Sequence, residues 1–187
     1  NSKKYPISIL NYYLRYAYCC PFLDFNAIDC VVELGSGAGK QVEILKKFYP
    51  HLSMVLFDIP PQLYICEQYL KTVFPNDVIS YQETRNFKTL PRERGKIFIL
   101  GAHQFPLLRG ETIDLFWNSA SLQEMEPHIV KNYLGFVNES SKAVYLHQWM
   151  TGVKRAKKPG DTGVIEQTQF KHYEAALTQF KLIDLSP

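Results

Sequence analysis

Two kinds of hydrophobic pattern alternate along this chain. Short apolar runs recur at 29–34, 53–58, 96–100, 113–118, 142–149 and 180–185, as expected of strands covered on both faces. Between them apolar residues fall at helical spacing. Ile7, Leu10, Leu14 and Ala17 predict an amphipathic helix over 6–19 that lies against or ahead of the core. Val42, Leu45, Phe48 and Tyr49 supply the apolar face of a second helix, which Pro50 stops. Pro60-Pro61 suits the first turn of a third, where a missing N–H costs nothing, and Leu63, Cys66, Leu70 and Val73 form its stripe. Val130, Tyr133, Leu134 and Val137 do the same for a later helix, while Val78-Ile79-Ser80-Tyr81 fits either an edge strand or a packed loop. Strand, helix, strand in this order, with right-handed crossovers, predicts an α/β fold: a doubly wound, mostly parallel sheet in a three-layer sandwich. Residues 1–28 read as an N-terminal helical segment and 29–187 as the core of a single domain.

Composition narrows the picture without changing it. At 187 residues and 46% hydrophobic content, the chain can bury one substantial core and is short for two domains. A net charge of +3 is too mild to imply a nucleic-acid partner. Lys154, Arg155, Lys157 and Lys158 form a basic cluster inside 151–168, which its glycines and Pro159 mark as a mobile loop. Cys19, Cys20, Cys30 and Cys66 show neither C-x-x-C pairing nor a histidine at zinc spacing. They read as reduced packing residues of a cytoplasmic protein, with no metal expected. No apolar run is long enough for a membrane span and no leader pattern is seen, so no membrane partner is expected. The first residue is Asn1 rather than Met, which suggests a piece of a longer chain.

The chemistry concentrates in Val31-Val32-Glu33-Leu34-Gly35-Ser36-Gly37-Ala38-Gly39, where an apolar strand meets a turn with three alternate glycines and then a helix. Nineteen residues after Gly39 the next strand ends on Asp58. Glycines let a ligand lie against bare main chain, and a carboxylate at the neighbouring strand tip can grip a ribose diol, so the pair predicts a nucleoside pocket. Dinucleotide folds place a further glycine where this chain has Lys40.

The E-x-G-x-G-x-G run of Glu33 to Gly39 resembles instead the first motif of class I methyltransferases that use S-adenosyl-L-methionine. Together with Phe57-Asp58-Ile59-Pro60, with Tyr69-Leu70 beyond it, and with Asp114-Leu115-Phe116 through Ser121-Leu122-Gln123-Glu124-Met125, it is similar to bacterial sugar O-methyltransferases over residues 29 to 150. The resemblance implies S-adenosylmethionine as cofactor and a sugar or glycan hydroxyl, free or nucleotide-linked, as acceptor. The turn N–H groups of Gly35, Ser36, Gly37 and Gly39 would then face the donor's carboxylate, with Glu33 towards its ammonium and Asp58 on its ribose. It further implies Ile59 on the adenine face, Ala102, His103 and Gln104 at the adenine edge, and Asn118 at the fourth strand tip in the same site. Structural duties compete at several of these positions: a salt bridge for Glu33, a helix cap for Asp58, a plain hydrogen bond for His103.

A sugar hydroxyl is a weak nucleophile, so a base should help it. Glu124 and His147, both at strand tips, are the candidates, with His128 behind them. Ser121-x-x-Glu124 also matches a capping box, and a histidine at the end of a strand can simply be packed. Trp117 and Trp149 could stack on a sugar ring. Class I methyltransferases usually carry seven strands and six are comfortable here. The last is therefore expected to be absent or replaced by another chain, as in a homodimer. Two rival readings remain: another acceptor (a phenolic metabolite, a lipid or a protein), or a catalytically silent nucleoside-binding or interaction domain.

Overall fold

A computed structural model describes residues 7–158 and 160–186. Helix α1 (Ser8–Cys19) precedes β1 (Cys30–Leu34), α2 (Lys40–Phe48), β2 (Ser53–Asp58), α3 (Pro60–Val73) and β3 (Val78–Ile79). A one-turn α4 (Tyr81–Thr84) leads to β4 (Ile97–Gly101) and β5 (Ile113–Ser119), then α5 (Pro127–Ser140), β6 (Ser141–His147) and α6 (Phe170–Ala176). The six strands form one sheet in the order β3-β4-β2-β1-β5-β6, and every pairing is parallel. Val78-Ile79 is thus the edge strand.

β1, β2 and β4 are buried at every position, as central parallel strands must be when helices cover both faces. Side chains of alternate parity feed two cores. Val31, Met54, Leu56, Leu115 and Trp117 pack with Cys19 of α1 and Cys66 and Leu70 of α3 on one face. Val32, Leu34, Phe57, Phe105 and Phe116 pack with Val130, Leu134 and Val137 of α5 on the other. Beneath the sheet, the buried Lys46 ammonium donates to three carbonyls, Pro50 and Gly95 at 2.6 Å and Leu52 at 3.3 Å, and clasps the turn into β2 to the turn into β4.

Three expectations need correction. The apolar stripe assigned to the first helix faces solvent: Ile7, Leu10 and Leu14 are exposed, and Pro6 lies outside the described residues. α1 turns its aromatic side inward instead, with Tyr16 stacked on Phe48 at 5.0 Å, tilted against Phe25 at 5.5 Å and bonded through its hydroxyl to Tyr49 at 2.8 Å. Flat rings bury more area than Leu10 or Leu14 could, and they fix which way the helix rolls. Residues 180–185 form no strand: Leu182 and Ile183 lie exposed, and the segment meets the protein through Asp184, which accepts from the Tyr18 hydroxyl at 2.9 Å. An apolar run becomes a strand only where a neighbour pairs its main chain, and no strand among the described residues lies on the free edge of β6. Finally, the end of the loop expected to be mobile is anchored: both Glu126 carboxylate oxygens accept main-chain N–H bonds at 2.8 Å, from Ile165 and Glu166, and Thr168 Oγ1 donates to the Met125 carbonyl at 2.7 Å.

Among the described residues no helix is long and apolar enough to cross a membrane, and no group of three or more His, Cys, Asp or Glu could hold a metal ion.

Candidate functional site

The carboxyl ends of β1, β2, β4, β5 and β6 lie side by side, so residues far apart in sequence meet at one rim. β1 runs straight into the glycine turn, where the Gly35 N–H still reaches the Phe57 carbonyl at 2.8 Å. The three alternate glycines then do different things. A Cβ on Gly35 would collide with the Ser121 side chain, and one on Gly39 would lie 2.8 Å from Leu70 Cγ and 3.1 Å from Cys66 Sγ. Those two glycines let the loop after β5 and helix α3 pack tightly. Around Gly37, at φ +52°, a Cβ would meet nothing within 4 Å among the described residues. Gly37 therefore offers bare, open main chain.

Asp58 faces that opening. Its Oδ2 accepts the Gly37 N–H at 2.9 Å and the Ser36 hydroxyl at 3.5 Å, and its Oδ1 accepts the Ile59 N–H at 2.8 Å. Ile59 holds the N-cap position of α3 and no side chain caps the helix, so the helix-capping role for Asp58 is not the one adopted. Burial raises the Asp58 carboxyl above the ordinary carboxylate range while the three hydrogen bonds oppose the rise. Ile59 is 57% exposed and stands at the mouth beside it.

Glu33 sits one layer below. It is 3% exposed, and among the described residues its Oε2 has no hydrogen-bond partner. Burial, reinforced by the Asp58 charge and opposed by Arg15 of α1, pushes its carboxyl up to about 8. Among the described residues no ion pair within 4.0 Å holds Glu33.

At the tip of β4, in register with Asp58, Gly101 starts a 3₁₀ turn through Ala102, His103 and Gln104. The His103 ring lies over Gly101 and edge-on to Tyr81 at 6.5 Å, exposed to solvent. Gln104 points inward: its carbonyl accepts the Gly101 N–H at 3.0 Å and its amide donates to the Thr84 carbonyl at 2.9 Å. The Gln104 amide thus shapes the turn from behind, and Ala102 and His103 are the parts of it nearer the mouth.

Asn118, fully buried, is likewise a support. It donates to the Leu34 carbonyl and Ser121 Oγ at 2.7 Å each, and accepts from Gln148 at 2.5 Å. Gln148 in turn accepts the Gln123 N–H at 3.0 Å, and Gln123 accepts the Trp149 N–H at 2.7 Å. This amide chain welds the loop after β5 to the end of β1 and the end of β6. Sequence reasoning did not single out Gln148 and Gln123 in this role. Their i-to-i+25 relation is invisible until the sheet pairs β5 with β6.

The loop after β5 turns at Ala120, a non-glycine residue at φ +67° whose N–H bonds the His147 carbonyl at 2.8 Å. Strained backbone of this kind persists where the surroundings overdetermine it. The Ser121-Glu124 capping box does not form, because Ser121 Oγ donates to the Leu34 carbonyl at 3.1 Å instead. Glu124 is left exposed, as is His128. His147, in register with Ser119, ends β6 at the same rim, and loss of hydration plus the Arg15 cation lower its pKa below 6.5. Trp117 is buried with its ring tilted against Tyr145 at 4.1 Å, whereas Trp149 is 63% exposed.

The comparisons with known proteins agree with this geometry. A family model described as an O-methyltransferase domain matches residues 16–102. No curated protein matches the chain. Among solved structures, magnesium protoporphyrin IX methyltransferase from Synechocystis, with S-adenosylhomocysteine bound, superposes with a TM-score of 0.60 at 10% identity, over 95% of this chain and 78% of that one. An O-methyltransferase family protein from Burkholderia thailandensis gives 0.58 at 12% identity, over 89% and 49%. A mitomycin 7-O-methyltransferase gives 0.53 at 14%, over 77% and 38%. This chain has the fold of the S-adenosylmethionine-dependent methyltransferases. It spans well under two thirds of the length of two of these three relatives.

The residues present fit that cofactor. Open main chain at Gly37, a buried carboxylate beside it and an unpartnered Glu33 oxygen below form a cradle of the right polarity for a nucleoside bearing an amino-acid tail.

Proposed function

We propose that the chain binds S-adenosylmethionine at the Gly37–Asp58 opening and methylates a hydroxyl presented between the tips of β5 and β6. The observation that carries this reading is the combination of an unobstructed Gly37 with Asp58 2.9 Å from its N–H. When bound, S-adenosylmethionine supplies an electrophilic methyl group on a sulfonium.

The protein's own residues do the rest. Asp58 accepts from the ribose hydroxyls, while Ile59, Ala102 and His103 flank the base. Gly35, Ser36 and Gly39 shape the turn, and Glu33 faces the ammonium end. The Asn118–Gln148–Gln123 chain holds the loop after β5 rigid, so an acceptor meets the donor in a fixed orientation. His147 takes the proton of the attacking hydroxyl. A pKa below 6.5 keeps its imidazole unprotonated at neutral pH, which is the form a base needs. Glu124, exposed on the same rim, is the alternative acceptor of that proton.

We favour a sugar or other polyhydroxylated acceptor, because the rim mixes hydrogen-bonding groups, His147 and Glu124, with one exposed ring, Trp149. An aromatic ring beside polar side chains suits a pyranose, whose faces are apolar and whose edges are polar. Trp149 and the exposed Met150 next to it also support a second reading, a planar aromatic metabolite.

Calorimetric titration with S-adenosylhomocysteine tests the donor site. Micromolar binding that Asp58→Ala weakens at least tenfold is expected, and indifference to that substitution would remove the proposal. A panel of nucleotide sugars, free glycosides and phenols, scored for methyl incorporation with wild type and His147→Gln, then separates the acceptor classes.

A further inference from the structure

The loop between β6 and α6 carries Lys154, Arg155, Lys157 and Lys158, four cations within five residues. All four are exposed, and among the described residues none has a carboxylate within 4.0 Å, whereas Lys47, Lys71 and Lys142 each hold one at 2.5 to 2.7 Å. Residues 151–168 contain only two acids against them, Asp161 and Glu166, so this loop holds a surplus of two positive charges out of the chain's net +3. Like charges crowded together repel, and an anion relieves them.

The stretch is built rather than loose. Ala156 donates its N–H to the Val164 carbonyl at 2.9 Å and Val164 to the Lys154 carbonyl at 3.2 Å, so the two arms of the loop are laced across. Gln167 Nε2 adds a bond to the Val153 carbonyl at 2.6 Å. Gly163, at φ +113°, lets the arms close, since a Cβ there would collide with the Lys154 carbonyl oxygen. The root of the loop lies on the acceptor rim. Trp149, two residues past His147, donates its N–H to Gln123, and the Met150 carbonyl accepts the Phe170 N–H at 3.0 Å, which closes the loop at its base. Met125 and Glu126, next to Glu124, anchor the returning arm. Base, ring and cations therefore follow one another: His147, the exposed Trp149, then Lys154 to Lys158. A sugar phosphate ester presents the matching order of hydroxyl, ring and anion.

We propose that the acceptor is a sugar bearing a phosphate ester, whose anionic group is held by the cations of Lys154 to Lys158 while a free hydroxyl meets His147. This inference rests on the donor reading above and narrows its acceptor class. Arg155 offers the planar fork that pairs two phosphate oxygens at once, and the lysines add point charges around it. Anchoring the anion on the loop also keeps its oxygens away from the cationic sulfonium, so the hydroxyl is the group presented to the methyl.

Calorimetry on protein saturated with S-adenosylhomocysteine compares four probes: methyl glucoside, glucose 1-phosphate, uridine diphosphate glucose and a single-stranded RNA oligonucleotide. The two phosphorylated sugars are expected to bind at least about tenfold tighter than methyl glucoside, the scale of a few solvent-screened charge contacts. Combining Lys154→Gln, Arg155→Gln, Lys157→Gln and Lys158→Gln should erase that preference and leave S-adenosylhomocysteine affinity within about twofold of wild type, because the four side chains are exposed and apart from the donor opening. Raising the salt to roughly 0.5 M should shrink the preference in the wild type as well, which tests the charges without any substitution. Tighter binding of uridine diphosphate glucose than of glucose 1-phosphate identifies a nucleotide-linked sugar as the source of the phosphate, and equal or weaker binding identifies a simple sugar phosphate. No preference for the phosphorylated sugars in the wild type, a preference that survives in the folded variant or in salt, or RNA bound more tightly than either sugar would overturn the proposal. A wild-type protein that takes up no S-adenosylhomocysteine would sink the donor reading instead, a result seen before any sugar is added.

Discussion

Asp58 accepts the main-chain N–H of Gly37, 21 residues before it in sequence, at 2.9 Å across the gap between two strand tips. This bond brings a buried carboxylate against the one glycine of the turn that has free space above it. Alanine substitutions should therefore separate binding from folding. Gly37→Ala meets no steric obstacle and costs only the strain of φ +52°, about 1 kcal/mol, yet puts a methyl group where the nucleoside would lie. Gly35→Ala collides with Ser121 and should cost well over 2 kcal/mol. Urea unfolding paired with S-adenosylhomocysteine titration checks the contrast: near-native stability with lost affinity for the first, lost stability for the second.

Glu33 should make the free protein less stable as the solution becomes more alkaline. Its unfolded carboxyl titrates near 4.5 and its folded one near 8, because burial and Asp58 outweigh the relief from Arg15. The folded state thus holds a proton that the unfolded state has lost. This stabilising contribution is complete below pH 4.5 and declines as the pH rises to 8, by on the order of 5 kcal/mol in total. Glu33→Gln removes the titration. Its stability relative to wild type should therefore rise between pH 5 and pH 8 in urea unfolding, and a constant difference would contradict the assignment. The same proton should be released when a cationic donor binds near pH 7, which calorimetry in buffers of different ionisation enthalpy detects.

The acid limb of turnover should report on His147. Partial loss of hydration and the Arg15 cation both disfavour the imidazolium, so the fall in kcat at low pH is expected below 6.5 rather than at it. His147→Gln should reduce kcat by about 100-fold or more and leave S-adenosylhomocysteine affinity near wild type. Comparable turnover in the variant would shift the role to Glu124.

Lys46 should matter to stability alone. Its ammonium satisfies three carbonyls from inside the fold, and Lys46→Met leaves Pro50, Leu52 and Gly95 without that donor. A loss of roughly 3 kcal/mol or more is expected, read as a lower urea midpoint, with unchanged donor affinity in the protein that remains folded.

The helices and central strands were legible because local pattern and burial coincide there. Val31-Val32 and Met54 to Phe57 are apolar on both faces, and such runs have few alternatives to a central parallel strand. The glycine turn and Asp58 were legible for a related reason, since positive φ and a strand-tip carboxylate are signatures of a local backbone shape. Leu182 and Ile183 have the same composition as a strand and do not become one, for want of a partner. Gln104 and Asn118 were assigned to the ligand from position alone, whereas their amides are engaged by Thr84, Leu34 and Gln148.

By itself, then, the sequence determined the central strands, the helices between them and the bend at Gly35 to Gly39, whose patterns lie within a few residues of one another. Only the tertiary structure decided which way α1 rolls, which amides are engaged by neighbouring loops, and that the Arg15 charge reaches both Glu33 and His147. Hydrogen-bond partners and electrostatic fields depend on distances between strand tips, and those distances are fixed by packing across the whole sheet rather than by any local stretch of chain.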